Sequence, residues 1–484
     1  MTVTPVEITR KAGGRRIGTP PGAATRRAPG RHTVVSDSKG GTFLYVPEVQ
    51  ELFGLSPELS HVLQLGLDEP SSPLGVGARD LVVQLAEDHA GGPLNEARHS
   101  HRELRDVVVH PSQVCNLDCV YCYATDFNKV NKLMSAETAD AVVRHTVELS
   151  GSDGLASVKF LGGEPTLAWP IVERMMAGYV TESERRGLAP PHFVMVTNGT
   201  RITEALAASA AAHGMHVLVS LDGDRAIHDR LRPTRSGAGS YELATRGLET
   251  LIAAGVEVSV EGVYTRDHYV AGVSVSDMID HFLALGVTEF AIAPTVGIWH
   301  DADTIDEIDP VREMFVDAAR RSVRSFRTSS PHLLRGIQFV LDGFSMRERR
   351  QYVCGAGRTF MAVNWDGEAF PCYLLESPAT SYGVLADNWD DGRYQAVRAG
   401  FVENGKDHHE VCSGCWANEI CQSCLGTSWQ ISPEITKPPA WFCGFQKALI
   451  SAVLGEVAAA RQSDEWGQFL VNMEAHLRPL GEAV

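Results

Sequence analysis

The sequence contains no run of about 20 uninterrupted apolar residues, the length a helix needs to cross a bilayer. Its first residues carry no apolar core of a secretory signal. Together these absences set the expectation of a cytoplasmic protein with no membrane partner. Positive charge is also short: 43 Lys and Arg face 60 Asp and Glu, a net charge of −17. An acidic chain repels phosphate backbones, so nucleic acid is not expected as a partner. No internal repeat is present, which argues against solenoids and propellers. Apolar residues make up 44% and charged residues 21% of the 484, a globular balance that excludes pervasive disorder and a coiled coil. That length suits about two to four domains.

Cysteine is missing from long stretches and concentrated elsewhere. None lies before Cys115 and none between Cys122 and Cys354. Three fall at Cys115, Cys119 and Cys122, and seven at Cys354, Cys372, Cys412, Cys415, Cys421, Cys424 and Cys443. A reducing compartment makes structural disulfides improbable, and scattered core thiols would not cluster in this way. Metal binding remains. The pairs Cys412-x2-Cys415 and Cys421-x2-Cys424 have the spacing of zinc knuckles, so structural zinc is one reading of the C-terminal group.

Residues 1–40 hold eight basic residues against Glu7 and Asp37 and are rich in Gly, Pro and Ala. They are expected to form a flexible basic tail. Residues 41–100 read as a small unit: a strand at Thr42–Val46, a helix at Pro57–Leu67, a Pro/Ser/Gly loop at Glu69–Gly77 and a helix at Ala78–His89. From about 101 to 300, short β-rich runs alternate with amphipathic helical patterns. Strands are expected at Val107–His110, Ser157–Leu161, Phe193–Thr197, His216–Leu221, Glu257–Tyr264 and Glu289–Ala293. Helices are expected near 135–150, 169–186, 203–213, 241–254 and 275–285. Such alternation implies right-handed βαβ units, a parallel sheet, and chemistry at the C-terminal ends of the strands. Residues 301–345 read as a helical linker, with a helix at 310–328. Residues 346–450 break into short cysteine-rich pieces of the kind metal holds together. Helix patterns cover 445–462 and 464–477, giving C-terminal helices over 451–484.

The first strand is followed by Val114-Cys115-Asn116-Leu117-Asp118-Cys119-Val120-Tyr121-Cys122-Tyr123. Three thiolates spaced Cys-x3-Cys-x2-Cys on one loop suit three irons of a cubane cluster and leave the fourth iron open. Structural zinc would want a fourth protein ligand, for which His110 is the nearby option. Further strand ends carry Leu161-Gly162-Gly163-Glu164-Pro165, Thr197-Asn198-Gly199-Thr200 and Ser220-Leu221-Asp222-Gly223, the last followed by His228-Asp229-Arg230-Leu231-Arg232-Pro233. This ordered set resembles the radical S-adenosylmethionine (SAM) superfamily. The resemblance implies a partial (β/α)6 TIM-like barrel within an α/β chain. It also implies a 4Fe-4S cluster on Cys115, Cys119 and Cys122 whose open iron takes SAM. By the same resemblance, Gly162, Gly163 and Glu164 meet the SAM ammonium, Ser220 its ribose, Arg232 its carboxylate, and Tyr121 flanks the adenine. The chemistry implied is one-electron cleavage of SAM to a 5′-deoxyadenosyl radical that removes a hydrogen atom from an unactivated carbon.

The C-terminal pattern, Cys354-x12-Gly367-x4-Cys372 followed by Cys412-x2-Cys415-x5-Cys421-x2-Cys424-x18-Cys443, resembles the SPASM iron–sulfur domain of peptide-modifying radical SAM enzymes. The common form has three residues in the last close pair, where this chain has two. The resemblance implies one complete 4Fe-4S cluster on Cys412, Cys415, Cys421 and Cys443. A second would be held by Cys354, Cys372 and Cys424 with one iron position open. It also implies a precursor peptide as substrate, a flavodoxin- or ferredoxin-type electron donor, and a winged-helix-like, leader-binding role for 41–100. In the related anaerobic sulfatase maturases, which oxidise Ser or Cys to formylglycine, an aspartate serving as base follows the cysteine matching Cys372. Here Tyr373 stands there. A crosslinking maturase is therefore the preferred expectation, with formylglycine formation, a non-catalytic iron–sulfur carrier and a zinc-stabilised binding protein as alternatives. His101, His408 and His409 receive no role, Trp416, Trp429 and Trp441 are expected to shield clusters, and the acidic run Asp301–Asp309 is expected to be a solvated loop.

Overall fold

The computed structural model describes residues 7–10, 13–16, 31–88, 95–96, 103–122, 124, 132–295, 308–386, 389–402, 405–431 and 438–477. Most of the expected basic tail, His101, Tyr123 and residues 301–307 of the acidic run lie outside them. Within the tail, β1 (Glu7–Arg10) and β2 (Gly13–Arg16) pair as an antiparallel ribbon.

The small N-terminal unit starts earlier than the composition suggests. β3 (Thr33–Ser36) pairs antiparallel with β4 (Thr42–Val46), and β4 with β5 (Glu51–Gly54). Two helices follow, Pro57–Asp68 and Pro73–Asp88. The second begins at Pro73 inside the expected loop, because a proline near a helix start forfeits no intrahelical hydrogen bond. Leu44, Val46, Leu63, Ala78 and Val82 form the unit's own core.

The central α/β domain follows the expected rhythm. β6 (Asn95–Glu96) precedes six strands: β7 (Asp106–Ser112), β8 (Ser157–Gly162), β9 (His192–Thr197), β10 (His216–Ser220), β11 (Glu257–Tyr264) and β12 (Glu289–Pro294). Neighbours in sequence are parallel neighbours in the sheet. The longer helices between them run Ala136–Leu149, Trp169–Arg185, Glu204–Ala212, Tyr241–Ala253 and Val275–Ala284, and shorter ones cover Arg225–Leu231 and Arg266–Val270. Three of these start where a side-chain hydroxyl caps the first turn: Ser135, Thr203 and Ser274 accept from Thr138, Leu206 and Asp277 N–H groups. Alternate strand residues such as Val109, Phe160, Met195 and Val217 join the helices in one large apolar core.

The sheet extends beyond six strands at both edges. β13 (Leu333–Leu334) adds to β12. Apart from this sheet, β14 (Glu348–Arg349) pairs with β6 in a two-stranded one. At the other edge, the cysteine-rich region supplies β15 (Phe360–Val363) parallel to β7, then β16 (Glu368–Phe370) and β17 (Gly383–Val384) antiparallel. The C-terminal region is therefore continuous with the barrel sheet, beside the strand that precedes the first cysteine loop.

Helices Ile308–Ser325, Ala440–Arg461 and Trp466–His476 complete the chain. By length and composition Ala440–Arg461 is apolar enough to cross a membrane. In this fold it packs on Ile308–Ser325 and on β3. Gly455 passes so close to β3 that a Cβ there would sit 2.3 Å from the Ser36 carbonyl oxygen. The neighbouring Glu456, 1% exposed, accepts from Ser38 N at 3.0 Å and Arg324 Nη1 at 3.2 Å, and lies 3.8 Å from Arg327 Nη2. This carboxylate fastens the N-terminal unit to the rest. Removing one partner of a buried ion pair costs about 3 kcal/mol or more. Glu456→Ala should therefore lower the thermal unfolding midpoint by several degrees; an unchanged midpoint would contradict this role.

Candidate active site

The cysteine loop after β7 is held by backbone on two sides. At the end of β8, Gly163 N donates to Ser112 O at 2.9 Å and Glu164 N to Val114 O at 2.8 Å. On the other side, Asp118 N donates to Pro233 O at 2.8 Å and Val120 N to Leu231 O at 3.0 Å, and Leu117 bridges Thr234. A β-bulge between Val109 and Ser112 redirects the chain just before the loop. The two glycines are demanded by this packing. Gly162 has φ +126°, and a Cβ on Gly163 would lie 2.2 Å from Val114 O.

Glu164, 1% exposed, is engaged inside the protein. Its carboxylate accepts from Thr166 N at 3.1 Å, Thr166 Oγ1 at 2.6 Å, Thr197 Oγ1 at 2.7 Å and Asn198 N at 2.8 Å. Burial pushes its pKa up, and these hydrogen bonds oppose that shift. The carboxylate thus ties the ends of β8 and β9 together, and Oε2, with one donor, retains capacity for an ammonium. From the end of β9, Asn198 Nδ2 reaches Asn116 Oδ1 at 2.9 Å and Cys115 Sγ at 3.8 Å.

A third cluster lies after β10. Asp222 is fully buried. It accepts from Arg232 Nε at 2.8 Å and Nη2 at 3.1 Å, from Tyr121 Oη at 2.5 Å, and from Val263 N at 2.9 Å. The Arg232 guanidinium lies 5.4 Å from the Tyr121 ring centroid. Burial alone would raise the Asp222 carboxyl, but the Arg232 charge and hydrogen bonds hold it below the usual carboxylate range. Tyr121 packs with Ile227 and Leu231, flanked by Val263 and Val273. The Ser220 side chain, at the end of β10, makes no hydrogen bond among those described. Tyr121, Ser220 and Arg232 are thus brought to one end of the sheet with the cysteine loop. Asp222, which orients two of them, was not singled out by sequence reasoning; its place two residues after Ser220 was the available signal.

All ten thiols are free of disulfides. Their mutual electrostatic influence sorts them into three sets: Cys115, Cys119 and Cys122; Cys354, Cys372 and Cys424; and Cys412, Cys415, Cys421 and Cys443. Burial pushes the Cys115 thiol up to about 11, Cys119 to about 12, Cys354 to about 12, Cys412 to about 12 and Cys421 to about 11. Burial thus disfavours the thiolate at these five cysteines, and a bound metal cation would favour it. Backbone N–H groups point at sulfur in the first two sets: Leu117 N to Cys115 at 3.5 Å, Leu374 N to Cys372 at 3.5 Å and Thr427 N to Cys424 at 3.4 Å. Beside the four-thiol set, the buried ammonium of Lys406 donates to Cys421 O at 3.0 Å and to Asn418 O.

This fold and strand-end site define a radical SAM enzyme, and residues 109–284 match the profile of the radical SAM superfamily. Its cofactors are accordingly a 4Fe-4S cluster and SAM. More particularly, the enzyme is related to peptide maturases. It is 26% identical over 324 residues to the mycofactocin maturase MftC of Mycolicibacterium smegmatis, covering 64% of this chain and 74% of that protein. It is also 25% identical over 349 residues to an AdoMet-dependent heme synthase of Nitratidesulfovibrio vulgaris, covering 66% of this chain and 91% of that protein. The fold is similar to that of native anSMEcpe with bound AdoMet and Cp18Cys peptide, with a TM-score of 0.62 and 18% identity over 75% of this chain and 100% of that one.

The close approach at Gly163 yields a direct test. A Cβ there must displace the cysteine loop, and misplacing reacting groups by about 1 Å costs about 10²-fold in rate. Gly163→Ala should reduce reductive SAM cleavage by that order. Wild-type cleavage by the variant would show that the loop is not positioned through this contact.

Proposed function

We propose that this enzyme modifies a ribosomally made precursor peptide, closing an intrapeptide thioether, carbon–carbon or ether crosslink after hydrogen abstraction. The observation that carries this reading is the division of the C-terminal thiols into a set of four and a set of three. Cys412, Cys415, Cys421 and Cys443 are assigned one complete auxiliary 4Fe-4S cluster. Cys354, Cys372 and Cys424 are assigned a second with one iron position open. The free thiols suit a reducing, cytoplasmic setting.

When bound, the cluster at Cys115, Cys119 and Cys122 together with SAM supplies a deoxyadenosyl radical that abstracts hydrogen. The chain's own residues bind and orient. Arg232, fixed by Asp222, presents its guanidinium to a carboxylate; Tyr121 offers an aromatic face to adenine; Ser220 offers a free hydroxyl to ribose. Gly162, Gly163 and Glu164 form the side facing the ammonium. A flavodoxin- or ferredoxin-type protein is the proposed electron donor.

The N-terminal unit is the proposed leader-binding element. Its three strands leave β3 and β5 as edges. Its two helices expose Leu59, Val62, Leu65, Leu74, Val76 and Leu81, each between 37% and 48%, an apolar face suited to a peptide. The similarity to MftC and the peptide named in the anSMEcpe structure support a peptide substrate. Tyr373 at the position after Cys372 weighs against formylglycine formation. The similarity to the heme synthase favours a second reading, oxidation of a tetrapyrrole substrate.

Incubation of a candidate precursor peptide with reduced enzyme and SAM should give a product two hydrogens lighter by mass spectrometry. Conversion of a porphyrin substrate with an unchanged peptide would support the second reading instead. Cys412→Ala should retain SAM cleavage yet make no crosslinked product; full product would remove the auxiliary role. Lys406→Met, by deleting a buried positive charge, should shift the four-cysteine cluster to a more negative reduction potential in a redox titration. An unshifted potential would mean that the ammonium does not act on that cluster.

A further inference from the structure

We propose that His110, oriented by Asn364 and charge-balanced by Glu376, accepts the proton released when the new bond closes. The inference rests on the crosslinking reading above. Tyr373, standing where the sulfatase maturases carry an aspartate base, has no carboxylate to serve that role.

The three residues come from segments far apart in sequence that the sheet brings together. Ala362 on β15 pairs with Val108 on β7, and Val363 with Val109. Asn364 and His110 follow these pairs at the C-terminal end of both strands, the end that also carries the cysteine loop. Asn364 Oδ1 lies 3.0 Å from His110 Nδ1, and Asn364 Nδ2 donates to Glu376 Oε2 at 3.2 Å. Because the amide oxygen can only accept, Nδ1 carries the hydrogen and Nε2 carries the lone pair. Glu376 Oε1 lies 3.6 Å from Nδ1. The Tyr373 ring meets the imidazole edge-on at 6.3 Å.

Two buried atoms in this cluster have no hydrogen-bond partner among the described residues: His110 Nε2 and Glu376 Oε1. His110 is 5% exposed. Buried unsatisfied groups are costly, and their persistence at a strand end calls for a ligand or a reaction. A lone pair on Nε2, with Nδ1–H held by an amide and a carboxylate behind it, is the arrangement of a general base.

With SAM and the cluster bound, one hydrogen atom would pass from the substrate carbon to the deoxyadenosyl group, giving 5′-deoxyadenosine. The carbon then bonds to sulfur, oxygen or aromatic carbon of a neighbouring side chain. That partner's X–H bond breaks: its proton passes to His110 Nε2, and one electron passes to an iron–sulfur cluster as oxidant. The resulting imidazolium is balanced by the Glu376 carboxylate. Burial pushes the Glu376 carboxyl up to about 7 and His110 down to about 4. The Asn364 hydrogen bond opposes the rise at Glu376, while Glu368 at the start of β16 and Asp366 on the turn before it add to it; the Cys372 thiol interacts with Glu376, and Lys159 from β8 with that thiol. Above about pH 7 the pair is therefore empty and able to accept; below it Glu376 already holds a proton.

The test uses cluster-loaded enzyme with its precursor peptide, comparing wild type, Glu376→Gln and His110→Gln. Variants are used only if they retain wild-type iron content. Both should keep forming 5′-deoxyadenosine while the ratio of 5′-deoxyadenosine to crosslinked product rises at least about tenfold. Product formation by wild type should rise with pH through about 7, and Glu376→Gln should lose that limb. Independently of turnover, infrared titration of wild type should show a protonated carboxyl C=O band disappearing through about pH 7, absent from Glu376→Gln. An unchanged ratio and pH profile would overturn the proposal. So would an altered electron paramagnetic resonance spectrum of the C-terminal clusters in Glu376→Gln, which would make Glu376 an iron ligand. Absence of any crosslinked product from wild type, with 5′-deoxyadenosine still formed, would instead remove the crosslinking reading on which the proposal depends.

Discussion

The site depends on a close backbone contact. The loop bearing Cys115, Cys119 and Cys122 has little regular structure of its own. It takes its shape from Gly162–Glu164 at the end of β8 and from residues 231–234 after β10, through amide–carbonyl hydrogen bonds. Only a residue without a Cβ lets the Gly163 backbone lie this near Val114. The recurrence of glycine pair, cysteine loop and arginine segment in one chain thus has a mechanical cause: each motif is the wall against which another is built.

Charge is arranged around the same contact. Glu164 and Asp222 are buried carboxylates that spend their acceptors on neighbouring strand ends. In doing so they fix Asn198, Arg232 and Tyr121 around the loop. The Ser220 hydroxyl, at the end of β10, makes no hydrogen bond among those described and is the group proposed to meet a nucleoside. Preorganisation of this kind leaves little to rearrange when a charged ligand arrives.

Much of the barrel was legible in the sequence. The six central strands and five intervening helices produce strong periodic patterns because one face of each must be buried, and their ends differ from expectation by only a residue or two. The strands β13, β15, β16 and β17 were not foreseen. They are two to four residues long and owe their extended form to the edge they join, which no local pattern records. β3 was hidden for the same reason inside a Gly- and Arg-rich stretch. At the site, residue types with distinctive spacing could be found. Partners joined across the sheet, such as His110 with Asn364 and Glu376, or Tyr121 with Asp222, became visible only when β7, β10 and β15 were set side by side.

Seven further cysteines sit on a region joined to the barrel edge through β15, which pairs with the strand that leads into the first cysteine loop. The central claim is that this loop holds a cluster on which SAM is reductively cleaved. Anaerobically reconstituted protein mixed with SAM and dithionite tests it most directly. The account predicts release of 5′-deoxyadenosine and methionine, lost when Cys115 is replaced by Ala. No nucleoside from fully iron-loaded protein would contradict it.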